Sequence, residues 1–137
     1  MEVKIIKAKV SAGEFDINDF GTYLRAIKDL ASEDQEIKKV LQNYPDLIIQ
    51  FSIFGVIDVY FQINKGKIII EDGIAENPNI KFEMTDVVGS GIIKNEIDPI
   101  SAYLSGDFKI NGETALAMKL KPFIQEYNER LGFKKGK

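Results

Sequence analysis

Residues 47–63, LIIQFSIFGVIDVYFQI, carry the pattern that decides the fold. Leu47, Ile49, Phe51 and Ile53 fall on one phase of a two-residue period, and Ile48, Gln50, Ser52 and Phe54 fall on the other. That is the alternation of a strand with one face turned to a core. Gly55 supplies a turn, after which Val59, Phe61 and Ile63 alternate with Asp58, Tyr60 and Gln62. Two such runs joined by a Gly-containing turn read most economically as an antiparallel hairpin.

Downstream, NKGK turns the chain again, and strands are expected at Lys67 to Glu71 and at Asn79 to Met84, the latter alternating Ile80, Phe82 and Met84 with Lys81 and Glu83. Consecutive strands suggest an antiparallel meander. TDVVGSGIIKNE returns to helical spacing, Asp98-Pro99 reads as an N-cap followed by Pro at the first helical position, DFKI as a short strand, and Asn111 as the cap of a last helical run. Upstream, Phe20, Tyr23, Leu24, Ile27 and Leu30 recur at helical spacing and give one inward stripe. Ser32-Glu-Asp-Gln35 offers a capping box ahead of Ile37, Val40, Leu41 and Tyr44, and this second helix stops near Pro45. The sum is one α+β domain over residues 1–137, a mostly antiparallel five-stranded sheet covered by helices, with no repeat, linker or low-complexity segment.

Composition removes most chemistry. The 137 residues suit a single domain. Lys and Arg number 18 against 21 Asp and Glu, and the basic residues are scattered, which argues against a nucleic-acid partner. There is no Cys and no His, so thiol nucleophiles, thiolate metal sites, the usual general base and the commonest metal ligand are missing together. The N-terminal MEVKIIKAKVSAG has only short apolar pieces broken by lysines, and nowhere do about 18 apolar residues run together as a membrane span requires. The terminal FKKGK is not a Ser-Lys-Leu peroxisomal address. A soluble cytoplasmic protein that is not an enzyme and needs no cofactor or metal is the expectation.

Small motifs invite chemistry and do not sustain it. Gly89-Ser-Gly91 lacks the third Gly of a dinucleotide fingerprint and the Gly-Lys-Ser/Thr end of a P-loop, so it reads as helix packing by small residues. Glu71, Asp72 and Glu76 do not have the spacing of a calcium loop and read as a solvated turn. Glu83 sits on the polar phase of its strand, and Asp86 falls in a first helical turn where its charge suits the dipole. RLGFKK mixes Arg130, Lys134 and Lys135 with Leu131 and Phe133; it reads as a solvated tail, with transient contact to an anionic membrane surface as the other reading.

What survives is apolar, and the ordered succession of its parts is specific. From Ile63 to Leu120 come a strand ending in a Gly-Lys turn, a Gly-Ile-Ala-Glu-Asn-Pro-Asn link, a strand ending in Met84-Thr-Asp86, an amphipathic helix, Asp98-Pro99, Ala102-Tyr-Leu-Ser-Gly106, Lys109-Ile110 and Leu116-Ala-Met-Lys-Leu120. This succession resembles the sterol carrier protein type 2 domain, the intracellular non-specific lipid-transfer family. Asn95 stands where the family commonly has Gly, and Asp107-Phe108 where Lys-Leu is usual.

The resemblance implies a sterol-carrier-like fold that buries a lipid between one sheet face and the C-terminal helices. By spacing, Phe82 and Met84 share a strand face, Val88 and Ile92 a helix face, and Leu116, Met118, Leu120 and Phe123 lie near the end; each alone reads as core. The resemblance lifts them, with Tyr103, Leu104 and Phe108, into an expected ligand site. An acyl tail of roughly 14 carbons at about 0.8 kcal/mol per methylene would contribute about 10 kcal/mol before immobilisation costs. The expected function is binding and transfer of a fatty acyl, isoprenoid or sterol-like ligand. The alternative is a non-catalytic accessory or dimerising module serving a lipid or acyl-thioester enzyme.

Overall fold

The computed structural model describes residues 2–113, 115 and 118–133. Its elements run α1 (Glu2–Ala12), a 3-10 turn (Ile17–Asp19), α2 (Phe20–Glu33), α3 (Gln35–Gln42), β1 (Leu47–Ile53), β2 (Ile57–Asn64), β3 (Lys67–Asp72), β4 (Ile80–Met84), α4 (Asp86–Ile93), α5 (Pro99–Ser105), β5 (Phe108–Gly112) and α6 (Lys121–Arg130). The hairpin read from residues 47–63 is present, with Leu47 opposite Ile63 and Phe51 opposite Val59. Gly55 takes φ +76° at its turn, a region that glycine enters without Cβ strain.

The strand order is β3-β2-β1-β4-β5, so the expected meander is corrected after β3. β4 lies beside β1 in parallel, Phe51 opposite Phe82, rather than beside β3. Burial explains the choice. β1 is covered on both phases, Gln50 and Ser52 being buried along with Leu47, Ile49 and Ile53, and a strand covered on both faces belongs in the middle of a sheet. β3 carries Lys67, Glu71 and Asp72 exposed and suits an edge. The link from β3 to β4 crosses the outer face and is pinned there by Gln50, whose Nε2 donates to Val59 O (3.2 Å) and Gly73 O (3.0 Å) while its Oε1 accepts from Ala75 N (2.7 Å).

The core lies between the inner face of the sheet and α1, α2, α3, α4 and α6. Helix α1 was not expected. Val3, Ile6 and Val10 form its inward stripe, with Ile6 fully buried, and Lys9 bonds Asp19 at 2.8 Å. Two caps also differ from expectation. Asp34, not Ser32, caps α3, its Oδ1 accepting from Glu36 N and Ile37 N, whereas the Ser32 hydroxyl donates back to Asp29 O inside α2. Asn111 lies in β5 opposite Lys81, a strand position rather than a helix start. Asp98 caps α5 as expected, accepting from Ser101 N, with Pro at the helix start. Asn95 takes φ +59°, the left-handed conformation that Asn tolerates and Gly favours. Gly89 packs where a Cβ would come within 3.2 Å of Ile17 and Met84, so small residues let α4 approach the sheet.

Candidate functional site

The inner face of the sheet divides into two surfaces. Across β1, β4 and β5 runs an aromatic ladder: Phe20 meets Phe51 edge-on at 5.2 Å, Phe51 stacks on Phe82 at 5.4 Å, and Phe82 stacks on Phe108 at 5.5 Å. Register produces it, because Phe51 pairs with Phe82, and Met84, next along that face of β4, pairs with Phe108. Val88 and Ile92 of α4, both half-buried, pack against this side.

On the β2–β3 side the face is not filled. A small, partly open apolar pocket of about 20 Å³ lies between Ile27 and Ala31 of α2, Leu41 of α3, and Phe61 and Ile68 of the sheet, with Leu120, Phe123 and Tyr127 at α6 along its other side. Among the described residues its lining is apolar apart from one phenol, and the space amounts to one or two water volumes with few partners for water. Such a gap is far too small for an acyl chain while α6 is in place.

The two ends of α6 are held very differently. At its C-terminal end Tyr127 and Leu131 are fully buried, and Phe133 meets Phe15 and Tyr23 edge-on at 5.0 and 5.8 Å. Two cross-links add to this: the Tyr127 hydroxyl donates to Asp34 Oδ2 at 2.7 Å, and the Tyr23 hydroxyl donates to Asn128 Oδ1 at 2.5 Å. Burial first, and then the Asp34 carboxylate, pushes the Tyr127 phenol far above its ordinary value. The Tyr127 hydrogen bond in turn holds the Asp34 carboxyl below the usual carboxylate range. Tyr23 is likewise raised by burial. At the N-terminal end, Leu120 makes no side-chain cap and Lys121 puts a cation at the positive end of the helix dipole. That end, which has no side-chain cap among the described residues, lies over the cavity.

The structure brings two of the sequence-selected residues, Leu120 and Phe123, to this cavity. Phe82, Met84, Phe108, Val88 and Ile92 share the inner face but lie on its ladder side, away from the gap. Tyr103, Leu104 and Met118 face solvent at 50%, 78% and 58% exposure, and Leu116 lies outside the described residues. Sequence reasoning had placed Ile27, Leu41 and Phe61 on apolar stripes without separating wall from core. The missing signal is tertiary: which stripe faces α6 depends on the β4 crossover. The tail reading also changes, since Leu131 and Phe133 are core; Lys134 and Lys135 lie outside the described residues. No described helix is long and apolar enough to cross a membrane, and no three described His, Cys, Asp or Glu residues gather in a metal-holding group.

Comparison with known proteins follows this geometry closely. Human stomatin-like protein 1 is 34% identical over 56 residues, which is 41% of this chain and 13% of that protein, so the chain spans only a small part of that relative's length. The solution structure of sterol carrier protein domain 2 of Helicoverpa armigera superposes with a TM-score of 0.56 at 23% identity, covering 89% of this chain and 94% of that one. The apo form of sterol carrier protein 2 from Yarrowia lipolytica superposes at 0.57 with 10% identity, covering 78% and 90%. At these identities the two structures speak for the fold alone. A model of the SCP-2 sterol transfer family matches residues 24–125, from α2 into α6 and across the cavity lining as far as Ile124, and the chain belongs to that family.

Proposed function

We propose that the protein is a single lipid-carrying unit that takes a slender apolar ligand under α6 and exchanges it with membranes or with an enzyme, drawing on a cytoplasmic pool. A fatty acyl or isoprenoid chain suits the space better than a rigid ring system, though a sterol-like ligand uses the same walls. The observation that carries this reading is the apolar gap beneath the Leu120 end of α6. Magnitudes favour opening. Lifting that end re-exposes Leu120 and the half-buried Phe123 and Ile124, a cost of roughly 3–6 kcal/mol at about 1.5–3 kcal/mol per fully buried side chain. A chain of roughly 14 carbons returns about 10 kcal/mol of transfer free energy, part of which offsets immobilisation. Among the described residues the one hydroxyl on the lining, that of Tyr127, is committed to Asp34.

Titration with the fluorescent fatty acid cis-parinaric acid, together with mass spectrometry of an organic extract of freshly purified protein, tests the proposal. Saturable binding of one probe per chain is expected. Phe123→Trp, which overfills the gap, is expected to weaken binding about fivefold or more, equivalent to roughly 1 kcal/mol. No saturable binding and no extractable lipid would make the domain a dry structural module.

A further inference from the structure

Helix α5 turns its apolar side chains outward. Within it only Ala102 is buried, while Ile100, Tyr103 and Leu104 are exposed by 66%, 50% and 78%. Positions i, i+3 and i+4 share a helix face, so these three make one solvent-facing stripe. Exposed Phe54 and Val87 lie at the same end of the sheet: Phe54 N bonds Met84 O at 2.9 Å, Val87 follows three residues later, and Met84 pairs with Phe108, where the chain has just left α5. None of these side chains lines the cavity, so lipid carriage leaves them without a use. Contiguous exposed apolar surface commonly marks a docking site.

Charge indicates what docks. α5 has no charged residue of its own and is bracketed by Asp98 and Asp107. From Asp86 to Asp107 the chain carries the carboxylates Asp86, Glu96, Asp98 and Asp107 against a single amine, Lys94. Asp98 is fixed by the Ser101 hydroxyl (2.9 Å) and the Ser101 backbone N–H (3.0 Å), which hold its carboxyl below the usual range and keep it ionised. Asp107 accepts from the Ser105 hydroxyl at 2.9 Å. Of the nearby cations, Lys94 is close enough to Asp16 to favour its charge, and Lys121 acts on Asp98 in the same way. An anionic membrane would be repelled by this frame, and a second copy would bring like charges together. We propose that the α5 stripe docks a basic amphipathic helix of a partner protein, its apolar face on Ile100, Tyr103 and Leu104 and its Lys or Arg flanks against Asp98 and Asp107.

The test uses the full chain and a fluorescein-labelled Leu/Lys peptide patterned as an amphipathic helix of about 14 residues, with a Leu/Glu peptide of the same pattern as control, followed by fluorescence anisotropy. Saturable binding of the Lys peptide is expected, at least about tenfold tighter than the Glu peptide. Leu104→Ser with Tyr103→Ser is expected to weaken it about tenfold or more. Asp98→Asn with Asp107→Asn, which keeps a capping side chain at the start of α5, is expected to weaken it and flatten its salt dependence. Circular dichroism melts check that each variant folds, which exposed positions should permit. Equal binding of the two peptides, or binding indifferent to both pairs of substitutions, overturns the proposal. So does a patch-dependent dimer in sedimentation, or patch-dependent flotation with phosphatidylcholine vesicles and no site-dependent peptide binding; these outcomes assign the stripe to a second copy or to a membrane.

Discussion

Replacing Tyr127 with Phe removes one hydroxyl and keeps the ring that fills the back of the cavity. The lost bond is short, 2.7 Å, and its acceptor is ionised. Hydrogen bonds to charged groups contribute about 1.5–3 kcal/mol. Asp34 keeps its backbone donors at Glu36 and Ile37 and is only half-buried, so it is not left stranded and the loss falls at or just below the bottom of that range, about 1–1.5 kcal/mol. Urea unfolding should report a loss of this size with an unchanged m-value. Opening lifts the Leu120 end of α6 and leaves the Tyr127–Asp34 bond made, so stopped-flow entry of cis-parinaric acid should change by less than about twofold. The linkage has two signs. Asp34 is depressed from 3.8, so its contribution is present above that pH and is lost as pH falls toward its lower folded value. Tyr127 is raised from 10.0, so its contribution is complete below that pH and is lost as pH climbs above it. The stability difference between wild type and Tyr127→Phe should therefore be flat from about pH 5 to 9 and shrink on either side. Lipid entry that quickens about fivefold or more in the variant would show that the Tyr127 end swings out as well and refute opening from the Leu120 end alone, and a difference that does not shrink in acid would refute the role given to Asp34.

Two further outcomes follow. Gln50→Leu removes the tether of the β3–β4 link and leaves Ala75 N without its acceptor, so urea unfolding should show a loss of about 1–3 kcal/mol; a loss below about 0.5 kcal/mol would mean that water replaces the side chain without cost. Ending the chain after Gly112 removes Leu120, Tyr127, Leu131 and Phe133, all buried, worth roughly 6–12 kcal/mol together and comparable with the whole stability of a domain. The shortened protein should lack cooperative unfolding by circular dichroism; a folded sheet that merely fails to bind lipid would show that α6 is a detachable wall.

The sheet was legible because β2 is a half-covered strand with plain alternation and β1 keeps one unbroken apolar phase at Leu47, Ile49, Phe51 and Ile53. The order of the strands was not, because adjacency depends on a crossover over a face of β1 that the local pattern assigns to solvent. Gln50 falls on the phase that hairpin logic assigns to solvent, yet it is fully buried. Helix α1 was hidden for a related reason: three inward residues, Val3, Ile6 and Val10, are spaced by lysines that dilute the stripe, and its stability comes from packing on α2. Asp34 could have been read as the α3 cap, since it directly precedes the helix; the Ser32 pattern matched the capping-box spacing and prevailed.

Apolar residues announce that they will be covered, not by what, and this is why the candidate site was only half legible. Leu120 and Phe123 reach the gap, whereas Tyr103 and Leu104, equally apolar in sequence, stay in water because α5 has Ala102 alone to press against the fold. A helix of seven residues with one buried side chain cannot stabilise itself by propensity. Its Asp98 cap, its Pro start and its Gly106 left-handed stop hold it in place instead. Local signals strong enough to fix a helix without core contacts leave the outward face free to be apolar for a partner's sake, and that face is where residues selected as ligand walls become candidates for recognition.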